Sequence, residues 1–231
     1  MKTRFSRCVE ISGVSIPERI DGLNCSDDGI PKAWKIHHVY RYRLAKRYCK
    51  KKTVIDAGCG YGYGSYILSC TAEYVVALDT DCKFRPKYRK ANIDFIVASC
   101  SHVPIRKTAI DVVVLYETIE HLEDPYLAIE QARICLKNDG RLLVSTPNRK
   151  YSKGASRYHL IEFLPDDLIN LVSRAGFGMI SVSGQTFAAW PLNPFVILDR
   201  IFSWLTIVNC AIGYPLPRYS FIVQIMAKKR V

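Results

Sequence analysis

Residues 53–79 constrain the fold of this chain more than any other stretch. An apolar run over 53–57 leads into Gly58-Cys59-Gly60-Tyr61-Gly62-Tyr63-Gly64-Ser65, a helical pattern opens at once over 63–70, and a second apolar run, 74–78, ends on Asp79. Strand, glycine loop, helix and strand in that order read as a βαβ unit with parallel strands. Glycines are wanted where a ligand must approach the backbone beside the open N–H groups of a helix N-terminus. An acid closing the next strand is placed to accept the two hydroxyls of an adenosine ribose. In this context the loop is a strong sign of a nucleoside cofactor, where a bare glycine run would be a weak one.

The same alternation continues. Apolar runs at 93–97, 111–116 and 141–145 follow, with helical patterns at 81–91 and 125–136. The second helix has Asp124 as its cap and Pro125 at its first position, and it stops before Asn138-Asp139-Gly140. A helix over 165–175 is ended by Gly176, and strands are expected at 178–183 and 219–227. Near-continuous apolar strands between helices indicate a sheet covered on both faces. The expected architecture is α/β, a Rossmann-like, doubly wound, mostly parallel sheet of seven strands. Residues 50–231 form that domain, and residues 1–49 form an N-terminal segment ending in a basic lid helix over 33–49.

Composition narrows the partner. The chain has 231 residues, and 33 Lys+Arg against 21 Asp+Glu give a net charge of +12. An apolar share of 49% rules out a disordered chain, so the charge points to an anionic partner: nucleic acid, a membrane surface or an acidic metabolite. Residues 32–52 carry nine Lys/Arg and no acid, with Trp34, Ile36, Val39, Tyr40, Leu44 and Tyr48 near helical spacing. That helix reads either as a solvated lid over the cofactor pocket or as a contact for an anionic substrate. Arg149, Lys150, Lys153 and Arg157, interleaved with Tyr151 and Tyr158, would rim the same end of the sheet and suit sugar stacking or RNA bases equally. Nine cysteines without a C-x-x-C read as reduced thiols of a cytoplasmic protein, and the first residues lack the apolar stretch of a secretory signal.

Which cofactor follows from the loop's spacing. A dinucleotide site uses G-x-G-x-x-G, whereas this loop is G-x-G-x-G behind Asp56. An acid there repels a pyrophosphate and suits an amino group. The loop resembles motif I of the class I S-adenosylmethionine (SAM)-dependent methyltransferases, and the resemblance continues through 95–105, 110–125, 133–148, 158–163 and 175–177. With His38, Arg41, Tyr42 and Arg43 ahead of the loop, the chain is most similar to the type 11/23-like branch, akin to polysaccharide-cluster and ubiquinone-pathway O-methyltransferases. The resemblance implies SAM held by Asp56, Gly58, Cys59, Gly60 and Gly62, with Asp79 and Thr80 at the ribose and Glu117 near the methionine end. Ser99 stands where the family usually carries an Asp beside the adenine, leaving that contact to Ser99 or the Cys100 backbone.

Methyl transfer to a hydroxyl is an in-line displacement that also needs the proton removed. Glu117, Glu120 and His121 would lie at the carboxyl end of the sheet, with His121 as candidate base and Glu117 as its catalytic partner. The blander alternative is that His121 bonds a backbone carbonyl while Glu117 orients the cofactor. Glu117-x-x-Glu120-His121 followed by His159 also resembles the metal site of small-RNA 3′-terminal 2′-O-methyltransferases, where two carboxylates and two imidazoles would hold Mg²⁺ or Mn²⁺ on vicinal hydroxyls. The expected function is O-methylation of a saccharide, lipid-linked or other small molecule. The alternatives are metal-dependent RNA 2′-O-methylation and a non-catalytic methyltransferase-like scaffold.

An apolar insertion at about 190–215 interrupts the domain before its last strand. Its uncharged run, 201–217, spans 17 residues and is broken by Gly213, Pro215 and Pro217, short of the roughly 20 that a spanning helix needs. Three readings stay open for it: a buried or homodimer-forming helix, a lid over an apolar substrate, and a helix lying peripherally on a membrane.

Overall fold

A computed structural model describes residues 8–11, 14–17, 32–81, 90–154, 156–185 and 222–230. The expected helix at 81–91 and the insertion at 190–215 lie almost wholly or wholly outside the described residues. A short antiparallel pair, β1 (Cys8–Ile11) and β2 (Val14–Pro17), comes first. Helix α1 (Lys32–Ala45) ends in a 3-10 turn, Lys46–Tyr48. The domain then runs β3 (Thr53–Ala57), α2 (Tyr63–Ser69), β4 (Tyr74–Asp79), β5 (Ile93–Val97), β6 (Ile110–Tyr116), α3 (Pro125–Cys135), β7 (Leu136–Pro147), α4 (Arg149–Ser152), α5 (Pro165–Arg174), β8 (Phe177–Gln185) and β9 (Ile222–Lys229).

The sheet has seven strands in the order β5-β4-β3-β6-β7-β9-β8. Strands β3 to β7 pair in parallel, and β9 runs antiparallel between β7 and β8. The mostly parallel expectation therefore holds, with one reversed strand near an edge. Strand order reverses between β3 and β6, and ligands of open α/β sheets bind outside the carboxyl ends at such a point.

Period-two alternation divides the core into two layers. On β3, Val54 packs with Val39, Tyr42, Ile67 and Leu68 from α1 and α2, while Ile55 and Ala57 pack with Ile129 and Leu168 from α3 and α5. The α3 start matches its sequence signal: the Asp124 carboxylate accepts the Leu127 N–H at 2.9 Å, with Pro125 in the first turn. No helix among the described residues is long and apolar enough to cross a membrane.

Helix α1 departs from the expected solvated lid. Lys35, His37 and Arg41 are buried together with Val39, Tyr42 and Ala45, whereas Ile36 is 62% exposed. Of the apolar residues noted at helical spacing, Val39 is buried, Tyr40, Leu44 and Tyr48 are half-buried, and Ile36 faces outward. Its polar groups turn inward because they have partners inside the domain: Asp56 for Tyr42, and Gln185 and Glu117 for Arg41. The chain's charge is thus partly internal to the fold.

Candidate active site

The glycine loop is fastened across the crevice by backbone bonds. The N–H groups of Gly58 and Cys59 donate to the Leu78 carbonyl at 2.9 and 2.8 Å. Gly60 has φ +51, and a side chain there would point into open space, so glycine relieves backbone strain and keeps the crevice clear. Its N–H donates to Asp79 Oδ2 at 2.8 Å, while Asp79 Oδ1 accepts the Asp81 N–H at 3.1 Å. The acid that ends β4 therefore lies against the glycine loop. Thr80 is exposed beside it. Gly64 answers a different need: a Cβ there would run into the ring of Tyr42.

Asp56 is fully buried and accepts hydrogen bonds from Tyr42 Oη (3.0 Å) and Ser65 Oγ (2.6 Å). Burial pushes its carboxyl up to about 6 against the opposing pull of those two donors. Both oxygens tie α1 and α2 to the end of β3. At the pair expected to meet the adenine, the Ser99 hydroxyl accepts the Ser101 N–H at 3.1 Å, and burial raises the Cys100 thiol to about 12, leaving it neutral.

Beyond β6 the chain turns sharply. Glu117 has φ +49, a left-handed conformation that is costly for a residue with a side chain and recurs at functional sites. Its N–H donates to the Ser145 carbonyl (3.0 Å) and its carboxylate accepts the Ser145 hydroxyl (2.8 Å). Arg41 Nη2 stands 3.8 Å from Glu117 Oε2. Arg41 Nη1 donates to Gln185 Oε1 at 2.7 Å, yet its buried Nε and Nη2, and Gln185 Nε2, have no hydrogen-bond partner among the described residues.

Residues 120, 121 and 159 form a second group. Glu120 is buried and accepts the Thr146 hydroxyl at 3.0 Å; burial first, and the Glu117 charge second, hold its carboxyl well above the ordinary range. His121 Nδ1 lies 2.9 Å from the Tyr158 carbonyl, which can only accept, so Nδ1 carries the proton and Nε2 is the basic nitrogen. His159 Nδ1 meets Glu162 Oε1 at 3.2 Å, and the two imidazoles pack edge to face with centroids 5.1 Å apart. Glu120, His121 and His159 each present one donor atom within 4.8 Å of the others.

Comparison with known proteins completes the picture. Residues 55–144 match the family described as a methyltransferase domain. A probable S-adenosylmethionine-dependent methyltransferase of Mycobacterium tuberculosis is 34% identical over 157 residues, 64% of this chain and 56% of that one. Residues 55–144 are a methyltransferase domain. A ubiquinone biosynthesis O-methyltransferase of Hydrogenovibrio crunogenus is 26% identical over 54% of this chain and 53% of its own. The S-adenosylmethionine-dependent methyltransferase of Mesorhizobium loti shares the fold at a TM-score of 0.58 and 16% identity, over 80% of this chain and 96% of that one. The chain spans little more than half the length of the curated relatives it matches.

Within the methyltransferase domain, the residues assigned from the sequence divide into two groups. Gly60 and Asp79 meet at the glycine loop, and Glu120, His121 and His159 converge beyond β6. Glu117 belongs to neither cluster of ligand atoms; it is turned toward Arg41 and Ser145. Two partners of the site had no assigned role: Arg41, visible only as part of an Arg-Tyr-Arg string, and Gln185, which carries no sequence signal of its own. Thr118 was missed for the same reason, although a Cβ on Gly58 would collide with it.

Proposed function

We propose that the chain is a SAM-dependent O-methyltransferase acting on a saccharide, lipid-linked or other small hydroxylated molecule. The observation that carries this reading is the Arg41–Glu117 pair, with Glu117 following the carboxyl end of β6 as Asp79 ends β4 in the same parallel sheet. A methionine end is a zwitterion, and a buried guanidinium with unpartnered donors next to a carboxylate complements it. Arg41 and Gln185 would take the carboxylate, Glu117 the ammonium, and Asp79 the ribose hydroxyls. Bound in this way, SAM supplies an electrophilic methyl on sulfonium. His121, its Nδ1 proton committed to the Tyr158 carbonyl, offers Nε2 to accept the proton of an acceptor hydroxyl. The name of the Hydrogenovibrio relative supports oxygen as the acceptor atom.

The test is incubation with methyl-labelled SAM and a panel of sugars, phenols and lipid-linked saccharides. Label recovered as a base-stable ether, and lost in Asp79→Ala, is the expected result. Label found on nitrogen, or none on any hydroxylated acceptor while SAM binds, contradicts O-methylation.

One observation favours a metal-assisted version of the same reaction. Both imidazoles that face Glu120 have Nδ1 oriented by an oxygen, the Tyr158 carbonyl for His121 and Glu162 for His159. Metal-ligating histidines are oriented in this manner. The three side chains fit a divalent ion that accepts two imidazoles and a carboxylate, which suits Mn²⁺ better than the oxygen-preferring Mg²⁺. Such an ion would act as a Lewis acid, and His121 would then be a ligand instead of the base. Activity surviving exhaustive chelation returns that role to His121.

A further inference from the structure

The segment between β7 and α5 carries chemistry that methyl transfer alone leaves unused. Residues 149–163 contain four cations, Arg149, Lys150, Lys153 and Arg157, and a single acid, Glu162. Glu162 faces inward: Oε1 meets His159 at 3.2 Å and Oε2 accepts the Gly154 N–H at 2.9 Å. Arg149 is paired with Asp167 at 3.5 Å. Lys150, Lys153 and Arg157 are exposed. Lys150 stands over the Tyr151 ring, and Arg157 over Tyr158, whose hydroxyl accepts Arg157 Nη2 at 2.8 Å.

This segment is held against the reaction centre. The Arg149 N–H donates to the Phe163 carbonyl, the Tyr158 carbonyl accepts from His121, and the N–H groups of Leu160 and Ile161 both donate to the Glu120 carbonyl. Lys153 adopts φ +46, where glycine or asparagine would be less strained, so a cation is kept at a position that disfavours it. Next in the chain, Leu160 and Ile161 are 59% and 37% exposed.

We propose that this segment is the phosphate subsite of the methyl acceptor, with Lys150, Lys153 and Arg157 binding a phosphate ester while the acceptor hydroxyl reaches His121. The inference rests on the methyltransferase reading and names its substrate class. The phosphate can belong to a soluble sugar phosphate or to a lipid-linked one; Leu160 and Ile161 offer apolar surface for the second.

The test titrates ethyl phosphate and octyl phosphate, the latter below its micelle concentration, into the full chain with and without S-adenosylhomocysteine. Both should bind, and the Lys153→Asn/Arg157→Gln variant should weaken both by about tenfold or more. Asparagine suits the left-handed backbone at 153, so the variant removes charge without straining the loop. S-adenosylhomocysteine affinity should be unchanged in it. A gain for octyl over ethyl phosphate that disappears in Leu160→Ser identifies the lipid-linked source, and equal binding identifies the soluble one. Absence of phosphate binding, or equal binding by the variant, overturns the subsite whether or not S-adenosylhomocysteine binds. Failure of S-adenosylhomocysteine alone overturns the methyltransferase reading instead.

Discussion

Arg41 Nη2 and Glu117 Oε2 face each other at 3.8 Å, the first side chain 1% and the second 16% exposed. A buried guanidinium whose Nε and Nη2 lack acceptors among the described residues is costly unless an anion completes it. If the methionine carboxylate is that anion, Arg41→Met should weaken S-adenosylhomocysteine by about tenfold to a hundredfold. Binding of 5′-methylthioadenosine, which lacks the amino-acid end, should change little. Parallel calorimetric titrations of the two ligands check the pairing; equal losses for both would indicate general disruption of the fold.

Tyr42 and Gly64 make a packing prediction. Gly64→Ala places a methyl group against the Tyr42 ring and should destabilise the protein by about 1–3 kcal/mol. Thermal unfolding should show the loss, and Tyr42→Leu in the same chain should recover part of it. An unchanged melting temperature in the single variant would contradict the described fit.

Asp56 makes stability depend on pH. Its carboxyl titrates at about 6 when folded and at the ordinary 3.8 when unfolded. The folded state therefore holds the proton more tightly between those values, and stability falls as pH rises from about 4 to about 6. Glu120, also shifted upward by burial, adds to the same slope. Asp56→Asn should flatten that slope without abolishing it, as read by denaturant unfolding across the window. An unaltered slope would show that Asp56 is not the titrating group.

The metal-assisted version predicts stoichiometric Mn²⁺ binding measured on the protein itself. His159→Ala should lower that affinity by at least about tenfold. Glu117→Gln should leave it unchanged, since Glu117 is turned to Arg41 and Ser145. Loss of Mn²⁺ in Glu117→Gln would restore the four-residue site expected from Glu117-x-x-Glu120-His121 and His159.

The sheet and the glycine loop were legible because period-two burial, Gly60 and Asp79 each leave a local mark in the sequence. Asp124 and Pro125 marked the start of α3 in the same way. Helix α1 was misread because apolar spacing cannot register a polar face that finds partners far along the chain. Arg41 bonds to Gln185, 144 positions away, and that pairing exists only after the sheet has formed. Glu117 illustrates a second limit: its residue type suited the methionine end, but its left-handed backbone and its bond to Ser145 depend on the register of β6 with β7. Asp56 shows a third. Resemblance suited it to an amino group, and its bonds from Tyr42 and Ser65, which tie α1 and α2 to β3, are what sequence spacing does not reveal.

The most direct test is calorimetric titration of S-adenosylhomocysteine into the wild-type chain and Asp79→Ala. Asp79→Ala removes the carboxylate proposed to accept the ribose hydroxyls, together with its bond from the Gly60 N–H, so thermal unfolding of the variant is read alongside the titration. One-to-one binding in the wild type, weakened about tenfold or more in the variant, is the predicted result. No heat with either SAM or S-adenosylhomocysteine, or equal affinity in Asp79→Ala, would contradict the account.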